Sequence, residues 1–232
     1  MDLILDGLFQ SIQLILSGDA ETLSITFLTL RISLTATLFS LVLGIPLGVY
    51  LALVEFPGRR WILGFVNTGM ALPPVVVGLW VSITLWRNGP LGDLHLLYTP
   101  TAIIIAQFVI AFPVVIGLTT VAIQQLNPKL RLQLLALGAS RWQMVWLLLR
   151  EARLPLLAAV MAAFGSVISE VGASMVVGGN LQGSTRVLTT ATVTEASKGN
   201  YGLALALGFI LLALVYVVNV ILTSIQQSSR KQ

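Results

Sequence analysis

The chain has 232 residues, of which 56% are hydrophobic and only 9% are charged, with a formal net charge of +4. A soluble domain carries about 25% charged residues, so this composition excludes a soluble enzyme and indicates an integral membrane protein. The absence of cysteine excludes a disulfide, a thiolate metal site and a cysteine nucleophile.

The first twenty residues predict an amphipathic surface helix. The segment is acidic and lacks the basic leader of a signal peptide. Polar residues recur at helical spacing and face a separate apolar stripe: the polar positions are Asp2, Asp6, Gln10, Gln13 and Ser17, and the apolar ones are Met1, Ile4, Leu8, Ile12 and Ile15. Such a helix either lies along the membrane surface or packs against its own protein.

Five apolar stretches approach the roughly 20 residues that a membrane-spanning helix needs. They cover residues 25–54, 61–86, 101–123, 154–177 and 201–225. The second contains Pro73 and Pro74, and the fourth contains Gly165 and Gly172, so we expect both of these spans to be broken. We therefore predict an all-α integral membrane protein with a single domain over residues 1–232 and five transmembrane helices. A surface helix at 1–20 and a cytoplasmic helix–elbow–helix at 127–153 complete it.

Basic residues lie on one predicted side of the membrane. They follow the first, third and fifth spans, as Arg59 and Arg60, then Lys129, Arg131, Arg141, Arg150 and Arg153, then Arg230 and Lys231. Because lysine and arginine concentrate in cytoplasmic loops, this side is expected to be the cytoplasm, with the N-terminus outside and the C-terminus inside. The same rule accounts for the positive net charge without a nucleic-acid partner.

The cytoplasmic segment predicts two helices joined by a tight elbow. Asn127 caps the first helix, which stops at Gly138, and Ser140 with Gln143 forms a capping box for the second. The second helix reaches Pro155, with its apolar face formed by Trp142, Val145, Trp146 and Leu149. The small residues of the elbow suit docking into a groove on another protein. The alternative is an amphipathic loop lying on the lipid headgroups.

The same segment resembles the coupling loop of ABC-importer permeases, whose pattern is E-A-A-x-x-x-G-x9-I-x-L-P. Gly138 matches the glycine, and Leu154 and Pro155 match the closing pair. The E-A-A positions hold Leu, Gln and Leu at 132–134, and the closing proline comes four residues later than in the pattern, which is about one helical turn. The resemblance implies contact with an ATPase through Leu132, Ala136, Gly138, Ala139 and Ser140.

A second stretch, residues 169–193, resembles the pattern E-x-G-A…G-N-x-x-G-x-T-x-x-L of the molybdate, tungstate and sulfate permeases. The matching residues are Glu170, Gly172, Ala173, Gly179, Asn180, Gly183, Thr185 and Leu188. The continuation through residue 202 is most similar to tungstate permeases. The resemblance implies that the gate or pathway includes Glu170, Gly172, Gly179, Asn180, Gly183, Thr185 and Arg186.

The resemblance also implies the surroundings of the chain. Two copies would form an anion pathway in a prokaryotic plasma membrane, two ATPase subunits would dock on the elbows, and an extracytoplasmic binding protein would deliver the anion. The sequence has no G-x-x-x-x-G-K-[ST] motif, so ATP and magnesium are expected on the ATPase. This chain is then a permease and not an enzyme, with membrane lipid as a further partner and with no cofactor or metal of its own.

Three charged residues and one histidine have competing interpretations. Glu170 lies in a span and is either functional or paired structurally, with Arg31 as a candidate ion-pair partner. Arg186 near the outer mouth either attracts a divalent anion or balances Glu195. His95 has no neighbours at metal-ligand spacing and is expected to be a plain surface residue.

Two other function classes stay open at this point. A secondary transporter or channel would be expected to carry a relay of ionisable residues and an inverted repeat. Neither feature is evident in the sequence. A membrane enzyme ranks below it, because no histidine, cysteine or paired-carboxylate site is present.

Overall fold

The computed structural model describes the backbone of residues 2–230 and the side chains of residues 3–227, and every element in that part of the chain is helical. The helices are α1 Asp2–Leu16, α2 Ala20–Leu53, α3 Arg59–Met70, α4 Pro74–Leu85, α5 Pro100–Gln124, α6 Pro128–Ala136, α7 Arg141–Glu151, α8 Arg153–Ile168, α9 Gly172–Gly178, α10 Leu188–Ser197 and α11 Tyr201–Arg230, with a 3-10 turn at Gly92–Leu94. The predictions at Met1 and Lys231, and those on the side chains of Asp2 and Arg230, fall outside the described residues.

Three of these helices, α2, α5 and α11, are long and apolar enough to cross a membrane unbroken. Two bent pairs raise the number of spans to as many as five. Helices α3 and α4 meet at 103° across residues 71–73, and α7 and α8 meet at 72°. The all-helical class and the broken second span are therefore confirmed.

The fourth predicted span is also broken, at one of the two glycines named from the sequence. Helix α8 ends at Ile168, and α9 begins at Gly172 after a gap of irregular backbone. Gly165 lies inside α8, where a Cβ would meet open space. Of the two glycines, only Gly172 adjoins the break, which covers residues 169–171.

Helices α2 and α5 pack closely against each other in the bundle. A Cβ added to Gly44 would lie 2.8 Å from Cγ1 of Val115, and one added to Gly48 would lie 2.7 Å from Cβ of Thr119. The hydroxyl of Thr120 donates across the same contact to the Gly48 carbonyl at 3.2 Å. Small residues thus let two backbones approach, as at helix interfaces within membranes.

A second close approach joins α4 to α9. A Cβ on Gly78 would lie 2.7 Å from Cα of Ala173. The Ser82 hydroxyl donates to the Val176 carbonyl at 3.3 Å. The main buried cluster surrounds this contact and includes Ile32, Val77, Val81, Leu85, Ala102, Ile103, Ala106, Ala173, Val177 and Val187. It supports the loop that follows α9.

Helix α1 packs against α11. A Cβ on Gly7 would lie 2.6 Å from Cβ of Leu205, so the two helices are in contact. The predicted apolar stripe of α1 is instead exposed, at 58% for Ile4, 41% for Leu8, 47% for Ile12 and 48% for Ile15. The helix therefore contacts its own protein along one face and leaves the apolar stripe facing outward.

Helix α10 was not expected from the sequence. Its ten residues include Thr189, Thr190, Thr192 and Thr194, and β-branched residues lower helix propensity. Two of the threonine hydroxyls instead donate to carbonyls one turn earlier, from Thr192 to Leu188 and from Thr194 to Thr190, both at 2.8 Å. Packing against α11 then holds a segment that local propensity does not favour.

Candidate coupling elbow and outer loop

Residues 127–153 form the predicted helix–elbow–helix. The Asn127 side chain accepts a hydrogen bond from the Lys129 amide at 3.0 Å at the start of α6. Gly138 ends the turn after α6 with φ of 78°, a backbone conformation that favours glycine. Ser140 and Gln143 exchange the two bonds of a capping box, at 2.8 and 3.3 Å. The caps and the stop proposed from the sequence are confirmed.

The residues predicted to contact an ATPase line the exposed side of this elbow. Leu132 is 66% exposed, Ala136, Gly138 and Ser140 are also exposed, and Ala139 is half-buried. A Cβ at Gly138 would meet nothing within 4 Å. Four of the five predicted residues are therefore accessible, and Ala139 is partly covered.

The apolar face predicted for α7 is only partly buried. Val145 and Leu149 are half-buried against the cluster that α7 forms with α2 and α5, whereas Trp142 is 85% and Trp146 is 59% exposed. The fully buried residues of the helix are Met144 and Leu148. The rotation of α7 is thus set by its docking on the ends of α2 and α5.

The end of α7 also differs from expectation. The helix stops at Ala152, and α8 then turns away by 72°, so Pro155 lies in the first turn of α8. A proline is tolerated there because its missing N–H has no partner to lose. The change of direction therefore precedes the proline.

Two arginines, one from the elbow and one from α3, donate hydrogen bonds to the C-terminal end of α2. The Arg131 guanidinium donates to the Leu53 carbonyl at 3.1 Å, and Arg59 donates to the Leu51 carbonyl at 2.7 Å. These carbonyls belong to the last turn of the helix, where they lack partners within it. A cavity of about 830 Å³ is lined by residues of α2 and α7 beside this contact. The Arg131 bond thus joins α6 directly to the end of α2.

Glu170 occupies the break between α8 and α9. It is 8% exposed, and Oε1 accepts a hydrogen bond from the Ala173 amide at 2.9 Å. Its carbonyl accepts a second bond from the Thr189 hydroxyl at 2.9 Å. Glu170 therefore joins the first turn of α9 to α10.

The structure does not bring Arg31 and Glu170 together. Among the described side chains, the ion pairs are Arg186 with Glu21 and Lys198 with Glu195. Arg31 is exposed on α2. The carboxylate of Glu170 is satisfied by a backbone amide instead of a cation.

The loop from Gly179 to the start of α10, residues 179–187, is held rigidly by one threonine. Thr185 is fully buried, and its hydroxyl donates to the Gly178 carbonyl at 2.5 Å and accepts from the Leu181 amide at 2.9 Å. Gly179 and Gly183 have φ of 68° and 75°. The predicted residues of this stretch are therefore neighbours in a tightly hydrogen-bonded turn.

Two further predicted residues have packing roles. The amide nitrogen of the Asn180 side chain donates to the Thr194 hydroxyl at 2.7 Å, which ties the loop to α10. A Cβ at Gly172 would collide with Val75 of α4. Glycine at 172 thus permits the contact between α4 and α9.

Sequence reasoning missed the partners of Arg186. Glu21, at the start of α2, accepts from Arg186 at 3.4 Å and from the Gln182 side chain at 2.8 Å. No pattern links residues so far apart in the chain. Arg186 therefore forms its ion pair with Glu21 and not with Glu195, the partner considered from the sequence.

Glu195 is instead paired within its own turn. Asn200 and Lys198 donate hydrogen bonds to its carboxylate, at 2.8 and 2.7 Å, and lower its pKa below the ordinary glutamate value. The carboxylate is therefore ionised at neutral pH, and Lys198 is neutralised by it.

Residues 44–231 match the family model described as the inner membrane component of a binding-protein-dependent transport system. The chain belongs to this family. Membership makes it an inner-membrane transport component that depends on a binding protein, which favours the permease interpretation over the secondary transporter and the enzyme.

Relatives and solved structures agree with this assignment. The tungstate uptake permease of Peptoclostridium acidaminophilum is 39% identical over 98% of this chain and 100% of its own length. A probable anion ABC transporter permease of Haloferax volcanii is 42% identical over 84% of this chain and 87% of its own. The molybdenum transport permease of Escherichia coli is less similar, at 28% identity over 76% of this chain and 82% of its own.

The inward-facing methionine ABC transporter MetNI shares the fold. Its TM-score is 0.75 with 21% sequence identity, and the match covers 90% of this chain and 96% of the other. At this identity the likeness concerns the fold alone, and it confirms the predicted architecture of an ABC-importer permease.

Proposed function

We propose that this chain is the membrane subunit of an ATP-driven importer for tungstate, with molybdate and then sulfate as the alternative substrates. The observation that carries the proposal is the 39% identity to a tungstate uptake permease across almost the whole of both chains. The anion permease of Haloferax volcanii supports an anionic substrate, and the lower identity to a molybdenum permease supports tungstate over molybdate.

We infer the subunit assembly from the exposed elbow and from the resemblance to ABC-importer permeases. Two copies of the chain form the pathway, and one ATPase docks on the exposed elbow of each copy. ATP and magnesium bind to those ATPase subunits, since this sequence has no phosphate-binding P-loop motif. Closure of the ATPase pair moves α6, and the bond from Arg131 to the Leu53 carbonyl passes that movement to α2.

Choice among oxyanions belongs to the binding protein. Discrimination between tetrahedral anions of similar size needs a closed cage in which a wrong fit leaves buried donors unpaired. A pathway that opens alternately to water does not provide such a cage. This chain therefore recognises the loaded binding protein more than the anion itself.

Reconstitution with the ATPase tests the proposed substrate. The complex is expected to hydrolyse ATP several-fold faster when tungstate-loaded binding protein is added, because the loaded protein favours the state in which the ATPase pair closes. Phosphate release in liposomes is the measurement. Stimulation by a sulfate- or molybdate-specific binding protein, with none from the tungstate-specific one, would assign the chain to another branch of the family.

Single-cysteine labelling tests the orientation with the N-terminus outside and the elbow in the cytoplasm. The chain has no cysteine, so Ser140→Cys and Ser184→Cys each introduce one thiol at an exposed position. In intact cells, an impermeant maleimide is expected to label the variant at 184 and not the variant at 140. Labelling at 140 from outside would reverse the proposed topology.

A further inference from the structure

A cavity on the outer half of the protein contains two arginines from distant parts of the chain. It has a volume of about 530 Å³ and lies between the first turns of α2 and the loop after α9. Its polar side chains are those of Glu21, Ser24, Arg31, Gln182, Ser184 and Arg186. At about 30 Å³ for each water, it holds a small anion together with its hydration.

Arg31 is a charged residue on an otherwise apolar and exposed face of α2, and a lipid-facing surface would not tolerate its charge. Phe27, Leu34 and Leu38 share this face of α2 and are 70%, 48% and 60% exposed. A guanidinium within a spanning helix is costly against hydrocarbon and is found facing protein or water. This part of α2 therefore lines a protein-covered or aqueous space instead of the lipid.

Both guanidinium groups have unused donors. Among the described side chains, Arg31 makes no hydrogen bond or ion pair. Arg186 is only 15% exposed, and its Nε is buried without a hydrogen-bond partner while Nη1 meets Glu21 at 3.4 Å. A buried N–H without a partner is costly, so the site favours an occupant that accepts hydrogen bonds.

Glu21 provides the one carboxylate of this cavity lining. Gln182 donates to it at 2.8 Å, and Arg186 approaches it at 3.4 Å, longer than a typical charge-assisted bond. The neighbouring carboxylate of Glu195 accepts hydrogen bonds from Asn200 and Lys198 and interacts with Arg186 only through its charge, without an ion pair. Glu21 thus occupies the donors that an arriving anion would use.

We propose that Arg31 and Arg186, with the Gln182 and Ser184 side chains, form a transient entry site for a divalent tetrahedral oxyanion, and that Glu21 is its resident competitor. Two guanidinium groups match the charge of such an anion, and their planar donors suit its oxygen atoms. Displacement of the anion by Glu21 keeps the affinity low, which a transport pathway needs for release. This inference rests on the proposed function, because it presupposes an oxyanion substrate.

The test measures tungstate binding to the permease–ATPase complex in nanodiscs without binding protein, by equilibrium dialysis with elemental analysis. Arg31→Gln and Arg186→Gln are each expected to weaken binding about tenfold or more, the usual effect of losing a charge-assisted hydrogen bond. Glu21→Gln keeps an acceptor for Gln182 but removes the competing charge, so it is expected to tighten binding severalfold. Arg87→Gln, on the wall of another outer cavity, is the control and should change nothing.

The arginine variants and Glu21→Gln are expected to change tungstate binding in opposite directions, so the test is decisive even if one arginine variant folds poorly. Equal weakening by Arg87→Gln would mean that only the overall surface charge matters, and unchanged or weaker binding in Glu21→Gln would remove the competitor role. Uptake of tungstate with the binding protein is measured in parallel. Normal uptake without an arginine-dependent binding site overturns this inference alone, whereas absence of tungstate uptake in the unaltered complex overturns the proposed function.

Discussion

Replacing Gly138 with glutamate is expected to abolish transport and ATPase copurification while leaving the protein inserted in the membrane. The residue has φ of 78°, so any side chain there costs about 1–2 kcal/mol of backbone strain. It is also exposed at the tip of the elbow, with no atom within 4 Å of a Cβ. A charged side chain would therefore clash with the docked ATPase and with nothing in this chain.

Two control variants separate docking from strain. Gly18→Glu places the same side chain on a glycine with φ of 65° and open surroundings, at the turn between α1 and α2. It should match the stability loss of Gly138→Glu and retain the ATPase. Gly138→Asn, which tolerates this backbone conformation, should retain most transport. Copurification and uptake are measured for each variant, and normal values for both in Gly138→Glu would disprove the coupling role.

Replacing Thr185 with valine is expected to lower the free energy of unfolding by about 2–4 kcal/mol. Valine keeps the shape of the side chain but removes the hydroxyl that joins the Gly178 carbonyl to the Leu181 amide, both within 3 Å. Each buried group left without a partner costs about 1–3 kcal/mol. Since the loop then loses its central bond, tungstate uptake is expected to fall as well.

Thr192→Val is the matched control on α10. Its hydroxyl bonds only to a carbonyl of its own helix, so the change should stay within about 0.5 kcal/mol. Thermal unfolding of the protein in detergent, followed by tryptophan fluorescence, compares the two variants. Equal midpoints for both would mean that the Thr185 bonds contribute nothing to the fold.

Local signals were sufficient for the elbow. A helix cap, a glycine stop and a capping box depend on residues within a few positions of one another, so Asn127, Gly138, Ser140 and Gln143 revealed this geometry without tertiary information. The same holds for the two broken spans, whose gaps at residues 71–73 and 169–171 include Pro73 and directly precede Gly172. Hydropathy likewise predicted the three unbroken spans.

The outer cavity and the orientation of α7 depended on the tertiary structure. Glu21 and Arg186 are 165 positions apart, and only the packing of α2 beside the loop after α9 brings them within an ion pair. The expected partner of Glu170 failed for the same reason, since the carboxylate finds a backbone amide three residues away and Arg31 faces a different space. Local chemistry thus determined where helices begin, end and break, because those events involve neighbours in the chain. Helix packing decided which charged side chains meet. The depth of each helix in the bundle and its rotation about its own axis depend on its contacts with several other helices.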